Sequence, residues 1–202
     1  MTDDFKVAPR SANDIHLAAL AWRHTLGVPD DWAPNVVQLL ESEIPRLIPE
    51  FALVVRPDPE MGDAEAYTEF DPPYIAVRGS VYALAQRDDG RSRMTFAHEI
   101  GHLVMHPGAV KLRSQNAQTI SSIRIFESAE WQARKFASVF LMPDHIALQF
   151  SSAEQLAECC KVSLQAARIR FNETEPLRRK KSLPESVIKT ITTLKSPDGH
   201  HP

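Results

Sequence analysis

The segment MTFAHEIGHLVMH, residues 94 to 106, is the feature of this sequence that most limits its fold. Its histidines, His98, His102 and His106, recur every four residues, and apolar residues fill most of the positions between them. On an α-helix, residues four apart lie one turn apart on the same face, so His98 and His102 can direct two imidazoles to one metal ion. The segment therefore predicts a helix with an HExxH metal motif and with Glu99 on the adjoining side.

The third histidine does not complete this ligand set. His106 lies about 12 Å along the helix axis from His98, which is too far for both to bind one ion. We expect His106 to pack or to form a hydrogen bond at the end of the helix. Gly101 lowers helix stability and is expected to let the backbone approach the metal closely.

A catalytic zinc site commonly has two histidines and a carboxylate as protein ligands. The next amphipathic segment opens with two candidates, Glu127 and Glu130. We favour Glu130, because apolar residues follow it at helical spacing and place it on the buried face of that helix. Glu127, one turn earlier, remains the alternative as the true ligand or as an outer partner of the site.

Composition excludes several other classes of protein. The chain has 202 residues, 43% hydrophobic and 24% charged, with a formal net charge of -3, which gives no overall attraction to nucleic acid or to an anionic membrane. Its start, MTDDFKVAPR, is acidic, and no apolar run reaches the roughly 18 residues that span a bilayer. Cys159 and Cys160 are adjacent and unsuited to a bridge with each other, so we expect reduced thiols in a cytoplasmic protein without membrane contact.

Hydrophobic periodicity predicts helices at both ends of the chain and strands between them. DIHLAALAWRHTLGV and PNVVQLLESEIPRLI are predicted helices, the second with Pro34 in its first turn. FALVVR is a predicted strand, and YIAVRGSVYALA, after a Pro- and acid-rich loop over residues 57–73, is predicted to form one or two strands. ESAEWQARKFASVFLM, closed by Pro143, is a predicted amphipathic helix. The pattern is that of an α+β domain.

The run PPYIAVRGSVYALAQRDDGRSRMTFAHEIGHLVMH, followed by EWQARKFASVFLMP, strongly resembles the ImmA/IrrE family of metallopeptidases. The similarity extends over residues 72–143. It implies a zincin-like fold, with His98, His102 and Glu130 as zinc ligands and Glu99 as the catalytic carboxylate. It agrees with the ligand favoured from helical spacing. Ligand type favours Zn²⁺, and Mn²⁺ or Fe²⁺ can occupy the same set.

The resemblance also implies a substrate class. Members of this family cut, or provoke the removal of, helix-turn-helix transcriptional repressors in stress responses or mobile-element induction. We therefore expect a zinc-dependent endopeptidase in which Glu99 takes the proton of the attacking water and returns it to the leaving amine. Four side chains stay open as a second donor to the oxyanion: Tyr74, Tyr82, His106 and His145.

A competing hypothesis comes from AEQLAECCKVSLQAARIRF, whose spacing matches a helix-turn-helix with Lys161 where the turn usually has glycine. Its second helix offers only Gln165, Arg168 and Arg170 to DNA, and the chain is acidic, so packing or partner docking is favoured over nucleic-acid binding. The alternative function is a non-proteolytic, metal-containing module that binds a repressor or antitoxin partner, or DNA, through these helices.

The predicted organisation has three parts. Residues 1–150 form the zincin-like metallopeptidase domain, and residues 151–174 form a helix-turn-helix-like appendage. Residues 175–202 are polar with scattered prolines, and we expect a flexible tail there. The sequence leaves the oligomeric state open.

Overall fold

A computed structural model describes residues 4–108 and 123–182 of the chain. Its strands are β1 (Ala52–Arg56), β2 (Ala66–Phe70) and β3 (Pro73–Arg78). Its α-helices are α1 (Ala12–Thr25), α2 (Val36–Gln38), α3 (Ile44–Leu47), α4 (Gly79–Ala85), α5 (Gly90–Met105), α6 (Ala129–Leu141), α7 (Asp144–Ala147), α8 (Ala153–Cys160), α9 (Leu164–Glu173) and α10 (Glu175–Ser182). The predicted α+β class is confirmed, and the arrangement fits a zincin-like domain. In the described residues, no helix combines the length and apolarity needed to cross a membrane.

Helix α1 begins where its sequence supplies a cap. The Ser11 hydroxyl accepts a hydrogen bond from the backbone N–H of Asp14 (3.1 Å), and the Asp14 carboxylate accepts one from the backbone N–H of Ser11 (3.0 Å). Such a capping box satisfies two N–H groups that the helix leaves without partners. The helix buries Ile15 and Ala19 and packs against α6.

The second N-terminal helix is assembled from α2, a π-helical segment (Leu39–Glu43) and α3. Asn35 is its N-cap, since the Asn35 side chain accepts from the backbone N–H of Gln38 (3.1 Å). Pro34 therefore precedes the cap, and the expectation that it lies in the first helical turn is wrong. The cap falls one residue later because asparagine offers an oxygen acceptor that proline lacks.

The sheet has the strand order β1-β3-β2, with β3 in the centre, parallel to β1 and antiparallel to β2. In its register, Ile75 of β3 lies between Leu53 of β1 and Thr68 of β2. Strand β2 falls inside the stretch predicted as a loop, so that prediction is wrong for residues 66–70. Acidic residues and prolines on both sides conceal a short run of strand formers that gains its stability by pairing with β3.

The segment YIAVRGSVYALA is only half strand. Strand β3 ends at Arg78, and α4 begins at Gly79, so the expectation of strand over residues 79–85 is wrong. Val81 and Ala85 are buried while Ala83 between them is exposed, which fits a helix face, since all three residues would share one face of a strand. The turn into α4 is held by the Asp58 carboxylate, which accepts from the backbone N–H of Ser80 (3.0 Å).

Helices α5 and α6 form the centre of the molecule and make its most extensive contact between two elements. Each begins at a polar cap: the Asp89 carboxylate accepts from the backbone N–H of Ser92 (2.8 Å), and the Ser128 hydroxyl accepts from that of Trp131 (3.0 Å). Their fully buried apolar side chains include Phe96, Ile100, Phe136 and Phe140. The predicted HExxH helix and the predicted amphipathic helix after it are both confirmed.

The helices predicted from AEQLAECC and SLQAARIRF are α8 and α9. The turn between them places Lys161 in the left-handed region (φ 51°). Arg93 of α5, whose side chain is 1% exposed, donates from Nε to the carbonyl oxygen of Lys161 (3.0 Å), and Lys161 Nζ contacts Asp88 Oδ2 (2.6 Å). The turn of this helix pair is therefore attached to the first turn of the HExxH helix.

The polar stretch from residue 175 does not begin as a flexible tail. Residues 175–182 form α10, and the Arg178 guanidinium lies 3.9 Å from the ring centroid of Phe171. The same guanidinium donates to the carbonyl oxygens of Phe150 and Ala147. The expectation of a tail is thus wrong for residues 175–182, because cation–π and hydrogen-bond contacts hold the helix. The rest of the predicted tail, 183–202, lies outside the described residues.

Gly90, the first residue of α5, packs against the turn between α8 and α9. A Cβ atom at Gly90 would lie 2.5 Å from the carbonyl carbon of Val162 and 2.6 Å from the backbone nitrogen of Ser163. We expect Gly90→Ala to lower the free energy of unfolding by about 1–3 kcal/mol, since backbone atoms must move to make room. Urea denaturation measures this change. Gly79→Ala is the matched control, because its nearest neighbour would be the Arg56 carbonyl oxygen at 3.4 Å. Equal free energies of unfolding for Gly90→Ala and Gly79→Ala would contradict close packing of Gly90 against Val162 and Ser163.

Candidate metal centre

The two histidines of the HExxH segment lie together on one face of α5. Their Nε2 atoms are 3.0 Å apart, and their rings meet nearly at right angles, with an interplanar angle of 81°. The neighbouring residues Phe96, Ile100 and Leu103 are buried in the core and fix the rotation of the helix. The face carrying His98 and His102 is consequently directed toward α6.

Helix α6 brings a carboxylate to these two rings. Glu130 lies in its first turn, with Oε1 3.1 Å from His102 Nε2 and Oε2 3.4 Å from His98 Nε2. One donor atom from each of the three residues lies within 4.8 Å of the others, so the group could hold a metal ion. The described residues thus bring together the three predicted metal ligands.

The spacing of these donor atoms suits a small tetrahedral ion. Ligand atoms about 2.1 Å from a tetrahedral zinc ion are about 3.4 Å from one another. The two Nε2 atoms are 3.0 Å apart, close to that edge, and each has a Glu130 oxygen nearby: Oε1 is 3.1 Å from His102, and Oε2 is 3.4 Å from His98. Two imidazoles and a carboxylate also form a donor set common in catalytic zinc sites. The residues present therefore fit the metal that the sequence predicts.

Gly101 determines how closely the two helices approach. A Cβ atom there would lie 3.1 Å from Cδ1 of Phe136 and 3.2 Å from the carbonyl oxygen of Ala133, both on α6. The glycine therefore makes room for α6, and the expectation that it lets backbone approach the metal is corrected. Gly101 faces α6 at Ala133 and Phe136. Ala133 lies about one helical turn after Glu130, so the contact is with α6 rather than with the metal cluster.

The charge of Glu130 suits a metal ligand. Burial alone would raise the pKa of Glu130, but hydrogen bonds with His102 and His98 outweigh burial and hold that pKa well below its usual range. Arg134, one turn later on α6, adds a cation 3.7 Å from Glu130 Oε2. Glu130 is therefore an anion, and a metal ion can replace the protons that it shares with the two histidines.

Glu99 is held separately from the three clustered side chains. It is 6% exposed, and Thr68 of β2 donates from its hydroxyl to Glu99 Oε2 (2.6 Å). The same hydroxyl lies 3.2 Å from the backbone carbonyl oxygen of Glu99. Strand β2 thus holds the carboxylate of Glu99, the residue after His98, in place. Sequence reasoning missed Thr68, since its pairing with Glu99 spans 31 residues and has no local signal.

Glu127, the alternative third ligand, is not part of the cluster. It ends a 3₁₀ turn before α6, where its carboxylate contacts Lys6 Nζ (3.1 Å). Its carbonyl oxygen accepts from the backbone N–H of Val7 (2.9 Å). Glu127 therefore joins the N-terminal segment to the start of α6, and Glu130 is the glutamate that reaches the histidines.

Two of the side chains considered as oxyanion donors are engaged away from the cluster. The Tyr82 hydroxyl contacts Glu41 Oε1 (2.5 Å), and His145 Nε2 lies 3.2 Å from the carbonyl oxygen of Pro29. Tyr74 neighbours Ile75, which pairs in register with Thr68, so Tyr74 is on the opposite face of the sheet from Glu99. These three side chains are therefore not placed to donate to an oxyanion.

The fourth of these side chains, His106, is buried at the end of α5. Its Nδ1 is 3.2 Å from His102 Nδ1, and its Nε2 is 3.1 Å from Gln132 Oε1. Burial, aided by the neighbouring His102, lowers the pKa of His106 to about 4, so the ring is neutral at pH 7. The prediction that His106 is not a ligand and forms hydrogen bonds at the helix end agrees with this geometry.

The N-terminal segment, residues 4–10, crosses the start of α6 and was absent from the predicted site. The Asp4 carboxylate accepts from the Ser128 hydroxyl (2.7 Å) and from the backbone N–H of Glu130 (3.1 Å). The Phe5 ring stacks on His102, with centroids 6.1 Å apart. No local pattern in the sequence could reveal these contacts, since they join residues more than 90 positions apart.

The helix-turn-helix-like pair uses much of its basic surface internally. Arg170 is 3% exposed, donates to the carbonyl oxygen of Met142 (2.8 Å) and pairs with Asp144. Arg168 pairs with Glu154 of α8 at 3.2 Å. Two of the three side chains considered for DNA are therefore paired with other groups of the same chain.

An HExxH helix with a glutamate supplied by the following long helix is the arrangement of a zincin-like metallopeptidase. The sequence profile of the peptidase M78 family, described as the IrrE N-terminal-like domain, matches residues 51–172, and the chain belongs to this family. The family is one of metal-dependent peptidases, and the predicted family resemblance is confirmed. No curated protein matches the chain significantly.

The hydrogen bond between Thr68 and Glu99 yields a prediction. Thr68→Val should lower the rate of peptide-bond cleavage about 10–100-fold, since a hydrogen bond to a charged group contributes about 1.5–3 kcal/mol. Thr68→Ser keeps the hydroxyl and should stay within about threefold of wild type. Initial rates on one protein substrate, with bound metal measured in parallel, test this pair. A Thr68→Val variant that cleaves at the wild-type rate would contradict the role of this hydrogen bond.

Proposed function

We propose that the protein is a zinc-dependent endopeptidase that cuts a regulatory protein, a helix-turn-helix transcriptional repressor. The observation that carries this proposal is the convergence of His98, His102 and Glu130, with the buried Glu99 next to the first histidine. Family membership supports peptidase chemistry. The resemblance to ImmA/IrrE metallopeptidases supports the repressor as substrate.

Zinc is proposed as the metal because two imidazoles and one carboxylate are a donor set that suits it best. When bound, the metal supplies Lewis acidity that polarises the scissile carbonyl and activates water. His98, His102 and Glu130 would hold it. Manganese and iron accept the same donor set, and metal analysis of the purified protein distinguishes them.

Glu99 is proposed to move the proton. Thr68 donates to Oε2, so Oε1 is the oxygen that accepts the proton of the attacking water. The same carboxyl group then returns this proton to the leaving amine as the peptide bond breaks. The low exposure of Glu99 supports this role, because the position of the carboxylate is set before the substrate arrives.

Intact-mass analysis of the repressor encoded nearest this gene tests the proposal. After incubation with zinc-loaded protein, wild type should produce two new fragments whose masses locate the cut bond. Glu99→Gln should keep one equivalent of zinc and lower the rate at least about 100-fold, the usual contribution of a general base. Cleavage by this variant at the wild-type rate would overturn the role of Glu99.

Two glutamates provide a matched test of the metal ligands. Glu130→Gln should lose most of its zinc and all measurable cleavage. Glu127→Gln, one turn earlier and paired with Lys6, should keep both. The reverse result would make Glu127 the ligand. If the repressor co-elutes uncut with wild type and with both variants, the result would favour the alternative function, a non-proteolytic binding module, over the peptidase.

DNA binding through α8 and α9 is tested separately. Arg170 and Arg168 are already paired with carboxylates of the chain, and the net charge is -3. We therefore expect no shift of duplex DNA in gels at 50 to about 200 mM salt, the range over which nonspecific binding by phosphate contacts falls steeply. A salt-dependent shift would favour DNA as a partner of the helix pair.

A further inference from the structure

A row of hydrogen-bonding groups leads from the proposed metal site to the N-terminal segment. His102 Nδ1 lies 3.2 Å from His106 Nδ1, and His106 Nε2 lies 3.1 Å from Gln132 Oε1. Gln132 Nε2 lies 2.9 Å from the carbonyl oxygen of Ala8 and 2.9 Å from that of Phe126. All three residues are at most 5% exposed, so each hydrogen-bonding group must find its partner inside the protein.

The direction of this row is set at Gln132. Carbonyl oxygens only accept hydrogen bonds, so the group facing Ala8 and Phe126 must be the amide NH₂, whose two hydrogens serve one carbonyl each. The reversed amide would place Oε1 against two other oxygens. Gln132 Oε1 consequently faces His106 and can only accept.

The orientation of Gln132 decides which nitrogen of His106 carries hydrogen. Because Gln132 Oε1 accepts, His106 Nε2 must be the donor. His106 is 4% exposed, and the described residues place no carboxylate in hydrogen bond with it, so a second proton would bury a charge without a direct partner. His106 is therefore the neutral Nε2–H tautomer, and its Nδ1 has a free lone pair.

The bare Nδ1 of His106 then determines the tautomer of His102. Two nitrogens 3.2 Å apart need one hydrogen between them, and His106 has none to give there. His102 Nδ1 must supply it. We propose that Gln132 and His106 are positioning residues that keep a hydrogen on Nδ1 of His102, so that Nε2, which faces Glu130 Oε1 at 3.1 Å, is the nitrogen that exchanges its shared proton for the metal. This inference rests on the proposed metal site of His98, His102 and Glu130.

Phe5 holds the two histidine rings in place for this role. Its ring lies 6.1 Å from that of His102 at an interplanar angle of 25°, and 6.0 Å from that of His106 at 77°. A ring packed against both imidazoles restricts their rotation about the Cβ–Cγ bond. Phe5 and Ala8 belong to the same N-terminal segment, so this segment both orients the Gln132 amide and packs on the rings that follow.

Nitrogen NMR of the histidine rings tests the inference directly. In metal-free wild-type protein with ¹⁵N-labelled histidine, long-range ¹H–¹⁵N spectra at pH 7 distinguish protonated from bare ring nitrogens. We expect hydrogen on Nε2 and not on Nδ1 of His106, and hydrogen on Nδ1 of His102. Hydrogen on Nδ1 of His106 would overturn the inference, whatever the metal affinity. This measurement needs no variant and no substrate.

Two variants of His106 give a second, independent readout. His106→Leu removes the acceptor for His102 and should weaken zinc binding about 10–100-fold, the usual effect of losing an outer hydrogen-bond partner. His106→Asn can place an oxygen where Nδ1 was and should recover most of that loss. Competition with a chromogenic chelator measures both, and thermal unfolding of the metal-free proteins shows whether each is folded.

The outcomes separate this inference from the proposed metal site. Wild-type protein that binds no zinc would reject the metal site, while the nitrogen spectra would still decide the tautomers. Zinc affinities within twofold for wild type, His106→Leu and His106→Asn would reject the positioning role and keep the metal site. Equal weakening in the leucine and asparagine variants would assign His106 a packing role only and would also overturn the inference.

Discussion

The close packing of α5 against α6 is the contact on which the candidate site depends. Gly101 leaves room for Ala133 and Phe136, whose nearest atoms would lie 3.1–3.3 Å from a Cβ atom at that position. His98 and His102 belong to one of these helices and Glu130 to the other. The separation of the two helices therefore determines whether two nitrogens and an oxygen meet at distances that suit one ion.

The groups around this cluster come from different elements, and each has its own task. Strand β2 presents Thr68 to Glu99, and the N-terminal segment presents Phe5 to His102. Helix α5 alone would supply the right residue types at the right spacing, but it would leave the orientation of the side chains open. Partners beyond the ligands supply that orientation, which explains why the site needs both a sheet and a segment far away in sequence.

The sequence predicted the parts of the site that depend on local periodicity. The HExxH helix and the choice of Glu130 over Glu127 follow from which residues share a helix face, and one helical turn suffices to recognise such a face. Strand β2 was missed because Tyr67 and Phe70 stand among acidic residues and prolines, which favour a loop unless the segment pairs with β3. Helix α4 was missed because it follows β3 without a break and its residues also suit a strand.

The N-terminal segment is held in part by atoms that every residue type possesses. The backbone N–H groups of Val7 and Arg10 donate to the carbonyl oxygens of Glu127 and Phe126, and the carbonyl oxygen of Phe5 accepts from the backbone N–H of Ala129. Such backbone contacts fix the path of the chain, and they place little restriction on which side chains it carries. Backbone pairing can therefore bring the segment to the start of α6, while Asp4 and Phe5 add the contacts to Ser128 and His102 that require a particular side chain.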